Sequence, residues 1–151
     1  MALALFGRTR LRRSIDEARV QKTIEEAERR TSGEVRVCVA PFFWGNVERE
    51  ADRAFVRLGM ARTEQRNGIL FFIVPSRRRF VVLGDEGIHA KVGAEFWSQV
   101  AAAVSERFRQ RDFTGGLVVG IETVGRELAA HFPFDPGTDR DELPNTVAFG
   151  D

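Results

Sequence analysis

Two adjacent carboxylates occupy a short turn between an apolar segment and a predicted helix. Asp85 and Glu86 are flanked by Gly84 and Gly87, which permit backbone conformations that other residues avoid. Such a pair could bind a hard cation, transfer protons or cap the following helix. Proton transfer is the weakest of these, because nothing in the neighbouring sequence gives the two acids different environments. We expect a cation site, with helix capping as the alternative.

The hydrophobic pattern predicts an α/β protein, a three-layer α/β/α sandwich with a small mixed sheet. Residues 68–74 are continuously apolar, as in a central strand buried on both faces, and the preceding strand–helix unit makes the first two strands parallel. The predicted elements are a helix from a cap at Ser14 to about Arg30, a strand at 34–40, a helix at 47–58, strands at 68–74 and 80–83, and helices at 89–110 and 117–131. Residues 1–13 form an N-terminal segment, 14–132 the domain, and 133–151 a polar tail without secondary structure.

This topology brings three polar motifs to one edge of the sheet. The starts of two parallel strands and the end of an antiparallel third lie at the same edge. We call this edge the rim; its predicted metal ligands are Asp85, Glu86 and Glu34, and its other predicted members are Ser32, Arg66, Asn67, Gly68, Gly84 and Gly87. Oxygen ligands at the rim would suit Ca²⁺ or Mg²⁺, and Arg66 with free amides at the start of the long helix would suit a phosphate. The alternative is that each residue serves only as a cap, turn or edge ion pair.

A second candidate surface follows the first strand. Phe42, Phe43 and Trp44 form an aromatic cluster in a loop, expected to pack on the core, with a protein-partner surface as the alternative. The arginines at 77–79 are expected to be a solvated turn, with a polyanion-binding patch as the alternative. The two histidines, His89 and His131, lack a second histidine at metal-ligand spacing, so zinc is not expected.

The composition excludes several classes of protein. The chain has 151 residues, enough for one domain, and its 23 basic and 22 acidic residues give a net charge of +1, which favours neither nucleic acid nor a membrane as a partner. The single cysteine, Cys38, lies in an apolar strand and is expected to be a buried, inert thiol. No segment approaches the roughly 20 apolar residues of a membrane span.

The N-terminal segment does not have the charge order of a secretion signal, because its apolar residues precede its arginines. We therefore expect a cytoplasmic protein. As an alternative, Leu3, Leu5 and Phe6 with the following arginines would form a short element that contacts a membrane surface.

Four motifs resemble the TPM domain, which is shared by a thylakoid-lumen protein, a photosystem II repair protein and a worm receptor modulator. They are TSGEVRV from Thr31, RNGIL from Arg66, LGDEGI from Leu83 and GGLVVGI from Gly115, and the resemblance covers about residues 14–132. It implies an α/β/α sandwich, and it implies divalent-cation binding, notably calcium, or acid phosphatase activity, as in some members. Asn67, Gly68, Gly84, Asp85 and Gly87 match its signature positions. Many members are secreted or membrane-anchored, but this chain is similar to the shorter cytosolic bacterial branch.

Three functional hypotheses follow from these observations. The first is a divalent-cation-binding regulatory or assembly module with an unidentified protein partner. The second is a weak metal-dependent acid phosphatase acting on phosphomonoesters, with Arg66 holding the phosphate and water as the nucleophile. The third is a protein-interaction domain without metal that uses the aromatic loop and the tail.

Overall fold

The computed structural model describes residues 15–137 and 143–150, which form a four-stranded sheet with helices on both faces. The strand order is β3-β2-β1-β4; β1 pairs parallel with β2 and β4, and β2 pairs antiparallel with β3. The α/β/α sandwich with a small mixed sheet is therefore confirmed. The elements are α1 (Glu17–Glu28), β1 (Glu34–Val39), α2 (Val47–Arg57), β2 (Gly68–Val74), β3 (Arg79–Gly84), α3 (Glu86–His89), α4 (Ala94–Arg109), α5 (Phe113–His131) and β4 (Ala148–Phe149), with 3₁₀ turns at Met60–Arg62 and Pro75–Arg77.

The sheet separates two hydrophobic clusters. Alternate residues of β1 and β2, such as Val37 and Phe71, pack with α1, α4 and α5 on one face. The intervening residues, such as Cys38 and Leu70, pack with α2 and Met60 on the other. All seven residues of β2 are buried, as the continuous apolar run predicts.

The first helix begins later than predicted. Asp16 is its N-cap, and the Asp16 side chain accepts a hydrogen bond from the Arg19 amide at 3.1 Å. The predicted cap at Ser14 lies outside the described residues. Aspartate is as good an N-cap as serine, which explains why the helix can begin at Glu17.

The predicted long helix from 89 to 110 is wrong at its start. The acidic turn is followed by the short helix α3, the chain turns again through 90–93, and α4 then begins after Gly93. Val92 and Phe96 lie on either side of this break, and both pack on the hydrophobic cluster that contains Phe71. The apolar spacing of four residues therefore continues through the break. Asp85 therefore caps a one-turn helix and not the long one, so the anion site expected at the start of the long helix is absent from the rim.

The final helix also differs from the predicted 117–131, since it starts at Phe113 and therefore includes Gly115 and Gly116. Asp112 caps it through a 2.9 Å hydrogen bond from the Gly115 amide. Gly116 and Gly120 allow close packing of this helix. A Cβ at Gly116 would lie 2.5 Å from the Phe108 ring, and a Cβ at Gly120 would lie 2.7 Å from the Phe71 ring.

The C-terminal segment contains secondary structure, although the sequence predicts none there. Ala148 and Phe149 form β4, which extends the sheet beyond β1. Leu143 and Val147 are buried against the two clusters. A strand of two residues is too short to leave a periodic signal in the sequence.

Candidate functional site at the rim

Strand register places the three polar motifs at one edge, as the predicted topology requires. Glu34 at the start of β1 pairs with Gly68 at the start of β2, and Gly84 at the end of β3 pairs with Ile69. The amide of Asp85 then donates to the Gly68 carbonyl at 2.9 Å. The rim is therefore a continuous surface built by residues distant in sequence.

Arg66 binds the acidic turn directly. Its Nε and Nη2 donate to the two carboxylate oxygens of Asp85 at 2.7 and 2.9 Å, and its Nη1 lies 3.3 Å from Glu86 Oε1. The hydrogen bonds to Asp85 raise the pKa of the Arg66 guanidinium. One positive charge thus lies between two carboxylates, in the bidentate geometry that makes arginine–carboxylate pairs strong.

The backbone around this pair is closely packed. Arg66 adopts a left-handed conformation with φ of 52°, which is uncommon for a side chain of this size. Its carbonyl accepts a hydrogen bond from the Gly87 amide at 2.8 Å. A Cβ at Gly87 would lie 2.2 Å from the Gln65 carbonyl oxygen, so this position requires glycine because of close approach.

Asn67 is the most buried polar side chain of the rim. It is 1% exposed, and its Nδ2 lies 3.4 Å from Ser32 Oγ, which also accepts from Gln65 Nε2 at 3.1 Å. The Asn67 amide donates to Thr63 Oγ1 at 3.2 Å. Its Oδ1 has no hydrogen-bond partner among the described residues, which is a costly state for a buried acceptor.

Glu34 contributes differently from the acidic turn. Its carboxylate is buried, and Oε1 accepts a hydrogen bond from the Leu143 amide at 3.1 Å. No sequence pattern predicts this contact, because residues 133–151 read as a polar tail. Glu34 therefore links the rim to residues 143–150.

The donor chemistry of the rim fits a hard cation, although no complete metal centre is preformed in the part of the chain that the structure describes. Asp85, Glu86 and Asn67 offer carboxylate and amide oxygens, the ligands that Ca²⁺ and Mg²⁺ take. In residues 15–137 and 143–150, however, no three His, Cys, Asp or Glu side chains are grouped to hold a metal ion. The Arg66 guanidinium supplies the positive charge between Asp85 and Glu86 in this conformation.

The aromatic loop lies at the other end of the sheet. Phe43 is half-buried and packs towards Phe72 with ring centroids 6.5 Å apart, as expected for core packing. The same expectation is wrong for Phe42 and Trp44, which are 47% and 89% exposed. Arg77, expected to be solvated, donates from Nη1 to the carbonyls of Phe43 and Gly45 at 3.1 and 2.8 Å.

Comparison with known proteins identifies the family of this fold and rim. A family model described as the TPM domain matches residues 11–127. The chain belongs to the TPM domain family. The resemblance of the four sequence motifs is therefore confirmed.

Solved structures agree with this assignment. This TPM domain is similar to the BA42 protein of the psychrophilic bacterium Bizionia argentinensis, with 38% identity, a TM-score of 0.83, and coverage of 89% of this chain and 92% of that one. It shares the fold of the N-terminal domain of the cg2496 protein of Corynebacterium glutamicum, with 16% identity, a TM-score of 0.55, and coverage of 74% and 70% respectively. A search of curated proteins found no match.

No helix among the described residues is both long and apolar enough to cross a bilayer. The expected membrane-surface element at Leu3, Leu5 and Phe6 lies outside those residues.

Proposed function

We propose that this TPM domain is a cytoplasmic regulatory or assembly module that binds a divalent cation, Ca²⁺ or Mg²⁺, at the rim. The observation that carries the proposal is the convergence of Asp85 and Glu86 on a single positive charge, that of Arg66. Carboxylates that converge on one cationic group can accept another, provided that the first moves away. Arg66 is 42% exposed, so its side chain has room to leave.

The proposed ligands are Asp85, Glu86 and the amide oxygen of Asn67. Binding at Asn67 would relieve the unsatisfied buried oxygen. Glu34 and Ser32 belong to the same rim, and Glu34 would connect the site to the C-terminal segment through Leu143. This connection is the feature that favours a regulatory role, because a change at the rim would act on a segment that completes the sheet.

Cation binding predicts a specific mutational pattern. Ca²⁺ or Mg²⁺ should raise the melting temperature of the wild type by mass action, and Asp85→Asn should remove that increase. Arg66→Asn should bind the cation more tightly, because it removes the competing charge and asparagine tolerates the left-handed backbone. Calorimetry would measure the affinities, and amide NMR would show whether perturbed signals cluster at 32–34, 66–68 and 84–89.

Glu106→Gln is the matched control, because it removes an exposed carboxylate that pairs with Arg109, and neither of these residues belongs to the rim. It should leave cation binding unchanged, and NaCl at equal ionic strength should not reproduce the stabilisation. The proposal fails if neither ion shifts the melting temperature at millimolar concentration, or if the shift persists undiminished in Asp85→Asn.

The phosphatase hypothesis gains no support from the geometry. It requires Arg66 to hold a phosphate, but Nε and Nη2 donate to Asp85 and Nη1 faces Glu86. The protein-interaction hypothesis depends on the aromatic loop, which is separate from the rim.

A further inference from the structure

The end of the sheet opposite the rim carries an exposed aromatic pair. We define the aromatic tip as the loop at 41–46 and the turn at 75–79. Trp44 is 89% exposed, and its ring meets that of Phe42 edge to face with centroids 4.8 Å apart. A tryptophan with so little contact to its own domain contributes almost nothing to the core.

The backbone that presents these rings is held in place by the neighbouring turn. Arg77 donates to the carbonyls of Phe43 and Gly45, and its guanidinium lies 5.3 Å from the centre of the Phe43 ring. The two loops therefore form one surface. These contacts hold the loop backbone on both sides of Trp44.

The charged residues of the aromatic tip itself are all basic. Its two loops contain three arginines, Arg77, Arg78 and Arg79, and no acidic residue. Arg78 and Arg79 are exposed, and Arg79 pairs with Glu48 in the first turn of α2. Exposed aromatic rings beside arginines combine apolar contact with attraction to negative charge.

From these observations we infer that the aromatic tip binds the surface of an anionic lipid bilayer, with Trp44 and Phe42 at the headgroup level. The apolar area that the two rings expose is roughly 300 Å², well below the ~800 Å² per partner of a stable protein interface. The rings are carried by a loop and are exposed. Tryptophan is favoured at the membrane interface, and clustered arginines are attracted to anionic headgroups.

Vesicle co-sedimentation of the full chain tests this inference. Vesicles of phosphatidylcholine mixed with phosphatidylserine should bind the protein, and vesicles of phosphatidylcholine alone should bind it much less. Trp44→Ala and the double variant Arg78→Asn/Arg79→Gln should each reduce binding about tenfold or more, and raised salt should weaken it. The Trp44 fluorescence should shift to shorter wavelength on binding, and this shift should be absent in Trp44→Ala.

Matched controls are Val56→Ser and Arg109→Gln. Val56 is 74% exposed on α2 and Arg109 is 77% exposed at the end of α4, so each variant removes a comparable group outside the aromatic tip. Both should bind vesicles as the wild type does, and circular dichroism should confirm that every variant is folded. Equal binding to both vesicle types, or unchanged binding by Trp44→Ala, would overturn the inference. The inference would also be overturned if the chain bound a purified protein in a Trp44-dependent way and did not bind vesicles. The aromatic tip would then be a protein contact.

Discussion

At the scale of single residues, Arg66 determines what the rim can do. It is held by Asp85 through both carboxylate oxygens, while its own backbone is in the left-handed region. That conformation costs on the order of 1 kcal/mol for an ordinary side chain. The bidentate pair with Asp85 and the hydrogen bond from Gly87 offset this cost. Arg66 and the acidic turn therefore stabilise each other.

Asp112 is a residue whose charge should be visible in the pH dependence of stability. The hydrogen bond from the Gly115 amide, together with Arg107, holds the pKa of Asp112 below its ordinary value. A carboxyl with a lowered pKa in the folded state stabilises the fold above its unfolded pKa, about 3.9, and this contribution disappears as the pH falls through the lower folded pKa.

Asp112→Asn should therefore reduce the free energy of unfolding at neutral pH, and the difference from the wild type should shrink as the pH falls below about 3.9. Asparagine preserves the helix cap, so the comparison isolates the charge. Urea unfolding at several pH values would measure the difference. A deficit that stays constant down to about pH 2 would show that the charge is not its cause.

At the scale of elements, the short helix α3 depends on its close approach to the 63–67 loop. Gly87→Ala would place a Cβ against two carbonyl oxygens, those of Gln65 and Arg66, and should lower the free energy of unfolding by about 2 kcal/mol. Gly93→Ala meets no atom within 4 Å and should cost less, at most about 1 kcal/mol, because its only expected penalty is that alanine is a poorer N-cap than glycine for α4. Denaturant melts of the two variants would test this difference, and equal effects would contradict the packing argument.

The elements also show what a sequence can and cannot reveal. The bounds of β2 and the convergence of the rim followed from an all-apolar run and the parallel topology, and both are confirmed. The break between α3 and α4 was missed because the apolar spacing of four residues continues across it. The Arg66–Asp85 pair was missed because it depends on a left-handed arginine, which no periodicity signals. The exposure of Trp44 was missed because an aromatic residue in a loop is usually buried.

At the scale of the whole molecule, the two candidate surfaces lie at opposite ends of the sheet. The rim is formed where β1 and β2 begin, and the aromatic tip follows the points where they end, about 20 Å away along the strands. Binding at one surface therefore need not obstruct the other. The C-terminal segment touches the rim end of β1 through Glu34 and the opposite end of β1 through Cys38.

Removal of the residues after 137 should expose Cys38. Cys38 is fully buried, and burial raises the pKa of its thiol. The wild-type thiol should react with a thiol reagent only on unfolding. The truncated chain should react at least roughly tenfold faster, since it loses the contact between Cys38 Sγ and Gly150 O at 3.7 Å. It should also lose about 3 kcal/mol of unfolding free energy with the burial of Leu143 and Val147.

Val147→Ala in the full chain is the intermediate case, because it removes buried methyl groups but keeps the segment. It should be destabilised by about 1 kcal/mol and keep a slow thiol reaction. Equal thiol reactivity in the truncated and full chains would show that residues 143–150 do not protect Cys38.

The pairing of β4 with β1 has a consequence during synthesis. β1 is the first strand of the sheet to leave the ribosome, and residues 143–150 follow every other described element. Until they emerge, the outer edge of β1 presents unpaired backbone amides and carbonyls, a template on which another nascent chain can add a strand. During the interval between completion of α5 and arrival of β4, an otherwise complete sheet is therefore open to misassembly at this edge.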